Sequence, residues 1–214
     1  MARTKLKKIE SVESFPNVFN YLNNATEKEL RNYFGNNNPI SLEIGCGEAD
    51  YTIEMARLFP NKNFVGIDFK GARIYLGAKK AIDEKIDNAA FLWINAEHLD
   101  NFFVSEKVEE IFITFPEPHI KRRTERKRLT SPRFLKIYKK FLQTNGHVHL
   151  KTDDDFLYNY TLEVLSKGNY KVLFQSADLY SEENLDTVKS IKTRYERYYL
   201  KDGRIIKYIE FLLH

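Results

Sequence analysis

From about residue 40 onward the chain alternates short β-rich runs with helix-length amphipathic segments, and no other feature restricts its fold as strongly. Residues 40–44 read as a first strand, ended by Gly45-Cys46-Gly47. A helix over 51–59 follows, its apolar positions Ile53, Met55, Ala56 and Leu58 giving way to Pro60-Asn61. Residues 63–68 form a second strand, 72–86 a second helix, and 91–94 and 110–115 two further strands. Residues 132–142 read as a helix with Ser131 as N-cap and Pro132 at its first position. A fifth strand at 146–151 and a helix at 156–166 come next, then late strands at 170–175 and 205–213 around a polar, irregular stretch at 177–193. This order predicts an α/β fold: a mostly parallel twisted sheet with helices on both faces. Ligands of such sheets sit beyond the strands' C-terminal ends, where the strand order reverses. Residues 1–38 are polar, Asn-rich and charged, with Tyr21, Leu22 and Leu30 as a weak helical face. They read as an N-terminal arm or lid ahead of one domain over 39–214.

Composition narrows the setting. The chain has 214 residues, 43% hydrophobic and 14% aromatic, enough for one well-buried core. No segment approaches the roughly 18 consecutive apolar residues of a membrane span. The start, Met1 to Lys8, is basic but lacks the apolar core of a signal peptide. A single cysteine, Cys46, excludes an internal disulfide and a multi-cysteine zinc site. These features predict a soluble, cytoplasmic protein with no membrane partner; a monomer or homodimer is the expected state, which composition does not decide.

The charge is focused. The fourth strand runs through Phe115 into Pro116-Glu117-Pro118-His119-Ile120, and then into Lys121-Arg122-Arg123-Thr124-Glu125-Arg126-Lys127-Arg128. Six cations and one anion give residues 121–128 a net +5, against +4 for the whole chain, so the remainder is close to neutral. A solvated charged loop would explain the run alone. It does not explain the flanking prolines, which stiffen the backbone around Glu117. A fixed carboxylate joined to a cationic patch at a strand's end suits a polyanion that presents one reactive group.

The first turn, Glu43-Ile44-Gly45-Cys46-Gly47-Glu48-Ala49, lies where a nucleotide-type cofactor would bind. Gly45 and Gly47 permit a tight turn and close approach of a ligand to the backbone. A dinucleotide fingerprint needs a third glycine where this chain has Asp50, and Glu43 and Glu48 add further negative charge. Such a turn repels phosphate and favours a cation. S-adenosylmethionine carries a sulfonium, an ammonium and no phosphate. Asp68, at the end of the second strand, is placed to accept from two ribose hydroxyls, and Asn95, after the third strand, to meet an adenine edge. The competing reading is an ordinary α/β turn in which Asp68 caps the next helix.

Taken together, these residues resemble the bacterial tRNA (guanine-N7-)-methyltransferase family, TrmB, over about residues 39–212. The resemblance rests on Glu-x-Gly-x-Gly at 43–47, Asp68, the proline-containing motif and basic run at 116–128, and Leu129-Thr130 leading into a helix. Lys151-Thr152-Asp153 and Thr193-Arg194-Tyr195-Glu196 complete it. The resemblance implies a Rossmann-like class I S-adenosylmethionine-dependent methyltransferase domain acting on tRNA. It implies that Glu43, Asp68, Asn95 and Glu117 approach the cofactor or reacting centre. Lys121, Asp153 and Thr193, Arg194, Tyr195 and Glu196 would contact the target nucleotide. The family usually has Asp-Pro-Trp-Pro-Lys where this chain has Glu117-Pro118-His119-Ile120-Lys121, and an acid in place of Asn95.

Guanine N7 carries a free lone pair at neutral pH, so its methylation is chiefly positioning and needs neither general base nor metal. Glu117 and Asp153 are assigned to orienting the base, accepting from its N1–H and exocyclic amine. Lys121, Arg122, Arg123, Arg126, Lys127 and Arg128 are assigned to phosphates. Cys46 reads as a packed turn residue. His147 and His149 share a strand face with no third ligand in view and read as packing or surface residues. His119 reads equally as a base-stacking ring or a local loop contact, and Tyr195, Tyr198 and Tyr199 as core or interface. The alternatives are an RNA-binding module with a vestigial cofactor pocket and a small-molecule methyltransferase of the same fold.

Overall fold

The computed structural model describes residues 2–213, with side chains from Lys8 to Leu213. Most of the basic start therefore lies outside the described side chains. In chain order the elements are α1 Ala2–Glu13, β1 Val18–Asn20, α2 Glu27–Phe34, β2 Ile40–Ile44, α3 Asp50–Leu58, β3 Asn63–Asp68, α4 Gly71–Asp83 and β4 Ala89–Trp93. There follow α5 Leu99–Phe102, β5 Val108–Thr114, α6 Pro132–Phe141, β6 Leu142–Thr152, α7 Asp155–Lys167, β7 Lys171–Ser176, α8 Thr187–Ser190, α9 Arg194–Lys201 and β8 Lys207–Leu212. Among the described residues no helix is long and apolar enough to cross a membrane.

The strands form one sheet in the order β1-β4-β3-β2-β5-β6-β8-β7. Every pairing is parallel except those of β8, which runs antiparallel to both β6 and β7. Strand order reverses between β2 and β5, so their C-terminal ends frame the crevice where this architecture binds ligands.

Side chains alternate across the sheet, as the two-residue strand period requires. Leu42, Ile44, Val65, Ile67, Ile111, Ile113, Val148 and Leu150 point to one face, packed against α2, α5, α6 and α7. Phe64, Phe91 and Phe112 point to the other, packed against α1, α3 and α4. The structure thus has the helices on both faces that the alternation predicts, with strand positions matching to within a few residues. Ser131 is the N-cap of α6 by position, but its side chain makes no capping bond, and its Oγ is buried without a partner.

Residues 18–34, read from sequence as part of an arm or lid, are packed into this body. Val18, Phe19 and Asn20 pair with Phe91, Leu92 and Trp93 and extend the sheet at its edge. Asn17 donates to the carbonyl of Ala78 at 3.0 Å. The helix α2 starts with a reciprocal capping box between Thr26 and Glu29. Its apolar face delivers Leu30 and Phe34 to the main core. Leu22, grouped with Leu30 on the sequence pattern, is instead exposed. Arg31 fixes the far side through an ion pair with Glu106 and a 3.0 Å bond to the carbonyl of Asn38. Truncating the fully buried Leu30 should therefore cost as much as a core deletion elsewhere. Leu30→Ala is expected to destabilise the protein by about 2–5 kcal/mol in urea unfolding. A loss below about 0.5 kcal/mol would mean that α2 does not share the core.

Candidate active site

A cleft of about 400 Å³ opens at the β2/β5 switch point. Its floor is the first turn, Glu43 and Gly45 to Asp50, and Arg73, Thr114, Phe115, Thr193, Tyr195 and Tyr199 complete the lining, with the rings of Phe115 and Tyr199 5.6 Å apart. The turn is built as its glycines demand. Gly45 and Gly47 both have positive φ, 82° and 56°, and an added Cβ at Gly47 would point into open space. The N–H groups of Gly45 and Cys46 both donate to the carbonyl of Ile67, at 2.8 and 2.9 Å, locking the turn onto β3. Cys46 packs beneath it, and burial holds its thiol well above the ordinary range.

Glu43 joins three elements. Its carboxylate accepts from the Thr52 N–H at 2.9 Å and the Thr52 hydroxyl at 2.5 Å on α3, and from the Thr114 hydroxyl at 2.6 Å at the end of β5. Burial pushes its carboxyl up to about 7, against the pull of those three donors. Asp68 lies just behind the turn, buried. It accepts from the N–H of Gly47 at 3.3 Å and of Lys70 at 2.9 Å, with Arg73 3.7 Å away. The Lys70 bond is the helix-entry role raised as the competing reading, and the Gly47 bond places the same carboxylate against the cleft floor. Asn95 is exposed outside the cleft lining, where it caps a short turn and donates to Glu97 at 2.7 Å.

The segment 193–196 divides its duties. Thr193 caps α9 in a reciprocal box with Glu196. The backbone of Arg194 donates to Asp50 at 3.0 Å, and its guanidinium pairs with Glu48, so this segment is bolted onto the cofactor-type turn. Tyr195 is half exposed on the cleft wall. Glu196 is placed otherwise than the resemblance implies: it is fully buried and pairs with Lys151 at 2.8 Å, while the Tyr180 hydroxyl donates to it. The Lys151 ammonium also donates to the carbonyls of Lys189 and Ile191, at 3.1 and 2.7 Å, and burial lowers its pKa against the pull of Glu196.

The proline loop leaves β5 beside this wall. Phe115 and His119 both adopt left-handed backbone, φ 48° and 46°, a conformation bulky residues hold only when their surroundings enforce it. The Phe115 N–H donates to the Lys151 carbonyl at 2.8 Å, and the residue that encloses His119 is Arg128. Its guanidinium donates to the carbonyls of Pro118 at 3.3 Å, His119 at 3.0 Å and Ile120 at 3.2 Å, and lies over the rings of Tyr160 and Phe156 at 4.2 and 4.7 Å. Only 3% exposed, Arg128 has no surface to offer a phosphate, which corrects its place among the phosphate-binding cations. Lys121, Arg122, Arg123, Arg126 and Lys127 are exposed around a 3₁₀ turn. Glu117 is 79% exposed in its side chain, 3.6 Å from the His119 ring. Asp153, at the end of β6, is held by Arg204 at 2.7 Å, and Arg204 stacks on Tyr199 of the cleft wall.

The residues that sequence reasoning missed are ones that hold others in place: Thr52, Thr114, Tyr180 and Arg204. No local pattern marks them, since each acts across the fold. Glu43 makes the clearest test of this bracing. Because its carboxyl binds a proton more tightly folded than unfolded, folding takes up a proton between about pH 4.5 and 7. Stability conferred by the protonated form is full below that window and lost as pH rises through it. Urea unfolding from pH 5 to 8 should show this loss, on the order of 2–3 kcal/mol, in the wild type and not in Glu43→Gln. A wild-type-to-variant difference that stays constant over the range would mean that Glu43 is ionised throughout.

Comparison with known proteins agrees with this geometry. A family model described as "Putative methyltransferase" matches residues 37–209. The fold resembles the crystal structure of the 16S rRNA methyltransferase KamB, with a TM-score of 0.65 at 15% identity, covering 87% of this chain and 93% of that one. The sheet is thus that of a Rossmann-like class I methyltransferase, as the βα alternation and the resemblance imply. A tRNA (guanine-N(7)-)-methyltransferase of Bacteroides fragilis is 42% identical over 221 residues, covering all of this chain and 87% of that protein. Its counterpart in Christiangramia forsetii is 42% identical and covers 98% of both chains. Identity of this level over the full length of this chain makes it a member of the tRNA (guanine-N(7)-)-methyltransferase family.

Proposed function

We propose that the cleft binds S-adenosylmethionine and that the enzyme methylates N7 of a guanosine in tRNA. The observation that carries this reading is the meeting, at one switch point, of an acid-walled cleft with a strand-end loop bearing five exposed cations. Glu43, Glu48, Asp50 and Asp68 surround the turn with carboxylates, which suits a sulfonium and an ammonium and disfavours a pyrophosphate. The open space beside Gly47 leaves room for a ligand against the backbone. These features fit the donor, with Asp68 as the partner of its ribose hydroxyls. When bound, the donor supplies a methyl carbon to the guanine N7 lone pair, the S–CH₃ bonding pair returning to sulfur with no proton moved.

The chain's own residues then have to position the guanine. Glu117 and Asp153 are proposed to accept from its N1–H and exocyclic amine. Glu117 has an exposed side chain, and Asp153 has its second carboxylate oxygen beside the one that Arg204 occupies. Tyr195, half exposed on the wall, offers a ring against the base. Lys121, Arg122, Arg123, Arg126 and Lys127 are proposed to hold tRNA phosphates, which supply affinity more than sequence information.

Unmodified tRNA incubated with the protein and S-adenosylmethionine should yield 7-methylguanosine, detected by mass spectrometry of its nucleosides. Reversing Arg123 and Arg126 to Glu should weaken tRNA binding and flatten its log–log salt dependence by about one unit per lost contact, with cofactor affinity unchanged. Tight tRNA binding without methyl transfer would instead indicate an RNA-binding module, and methylation of small molecules alone a different substrate class.

A further inference from the structure

The strands β5, β6 and β8 bring together, on one face and away from the cleft, a cluster with no part in the proposed chemistry. The register sets His149 opposite Glu210 of β8, and His147 beside Glu110 of β5. His147 Nδ1 lies 2.7 Å from Glu210 Oε1, and His149 Nε2 lies 4.0 Å from Glu110 Oε1. One donor atom each from His147, His149 and Glu210 fall within 4.8 Å of one another. His149 is 95% removed from solvent by its 5% exposure, yet its Nε2 has no hydrogen-bond partner and is aimed into this cluster. A buried imidazole nitrogen left unbonded is costly unless something else occupies its lone pair.

We propose that His147, His149 and Glu210, with Glu110 as a fourth donor, bind a divalent transition-metal ion of the zinc class. Two imidazoles and carboxylate oxygens are the donor set such ions prefer, whereas magnesium and calcium select oxygen alone. Ligand atoms about 2.1 Å from a common centre stand roughly 3.4 Å apart, so the widest separation, up to 4.8 Å, must shorten by about 1.4 Å while His147 and Glu210, 2.7 Å apart, open slightly. His147, about one-third exposed, has room to make that movement and leaves a path for the ion. The supporting shell is in place. The Tyr208 hydroxyl lies 3.0 Å from His149 Nδ1, which fixes the ring with Nε2 toward the metal, and Phe112 stacks on the same ring at 4.5 Å. Burial keeps His149 in its neutral, ligating form, its pKa lowered to about 3.

Charge balance agrees. The groups facing the site are the carboxylates of Glu109, Glu110, Asp186 and Glu210 and the ammoniums of Lys62 and Lys189, which with neutral imidazoles leave a local charge of −2. Lys189 pairs with Glu210 Oε2 at 2.9 Å, leaving Oε1 for the metal. Bound there, the ion would clamp β6 to both of its neighbours.

The test uses the full chain, free of any polyhistidine tag and stripped of metal, titrated with zinc chloride by calorimetry. One zinc ion per chain is expected, with magnesium giving no heat, and cobalt(II) should show the intense visible absorption of four-coordinate geometry. His147→Gln and Glu210→Gln should each weaken zinc at least tenfold, and Tyr208→Phe by about 10-fold through the lost orienting bond. No zinc binding by the wild type, or binding that His147→Gln leaves unchanged, would overturn the site. The cobalt spectrum of the wild type decides the question even if a variant fails to fold.

Discussion

The ion pair between Lys151 and Glu196 is the interaction on which the cleft depends. Both side chains are buried, so neither charge has water to fall back on, and each is tolerable only because the other and its hydrogen-bond partners are present. Lys151 lies at the C-terminal end of β6, one residue before its last, while Glu196 stands in the first turn of α9 through its capping box with Thr193. One contact thereby ties the rigid sheet to the segment that carries Thr193, Arg194 and Tyr195. Arg194 then reaches the cleft floor, joining Glu48 and Asp50 of the first turn. The carbonyls of Lys189 and Ile191 bond the same ammonium, so the polar stretch before α9 is organised by Lys151 too.

From that anchor the site separates into a stiff half and an exposed half. The stiff half is the turn on β2, braced by Glu43 against α3 and β5 and by the Ile67 carbonyl against β3. The exposed half is the proline loop, where the buried guanidinium of Arg128 holds the left-handed His119 and the Lys151 carbonyl holds the N–H of left-handed Phe115. Charge follows the same division, with carboxylates around the turn and exposed cations on the loop. A small cationic donor and a large polyanionic acceptor would thus meet at one point without competing for the same residues.

Much of this was legible in the sequence, because βα alternation and the two-glycine turn are local patterns with local causes. Strand and helix periods placed β2 to β8, and the need for positive φ marked Gly45 and Gly47. What the sequence hid is what pairs across distance. The three residues of β1 are too few to show a period, and the core role of α2 rests on Leu30 and Phe34 meeting a sheet formed by later residues. Arg128 looks like its five cationic neighbours until the fold folds it under Pro118, His119 and Ile120. Glu196 reads as a polar motif residue until Lys151 is seen beneath it. His147 and His149 lack a third donor in sequence because Glu210 arrives only through the antiparallel register of β8.

The central claim is that the Lys151–Glu196 pair holds the cleft wall in its preformed position. Amide hydrogen exchange of the wild type and Glu196→Gln tests it most directly, since neutralising one partner leaves the Lys151 charge buried and uncompensated. Protection of the amides over residues 193–201 should fall sharply in the variant, with the strands β2, β3 and β5 keeping theirs. Unchanged protection across 193–201 would contradict the account and place the anchor of the wall elsewhere.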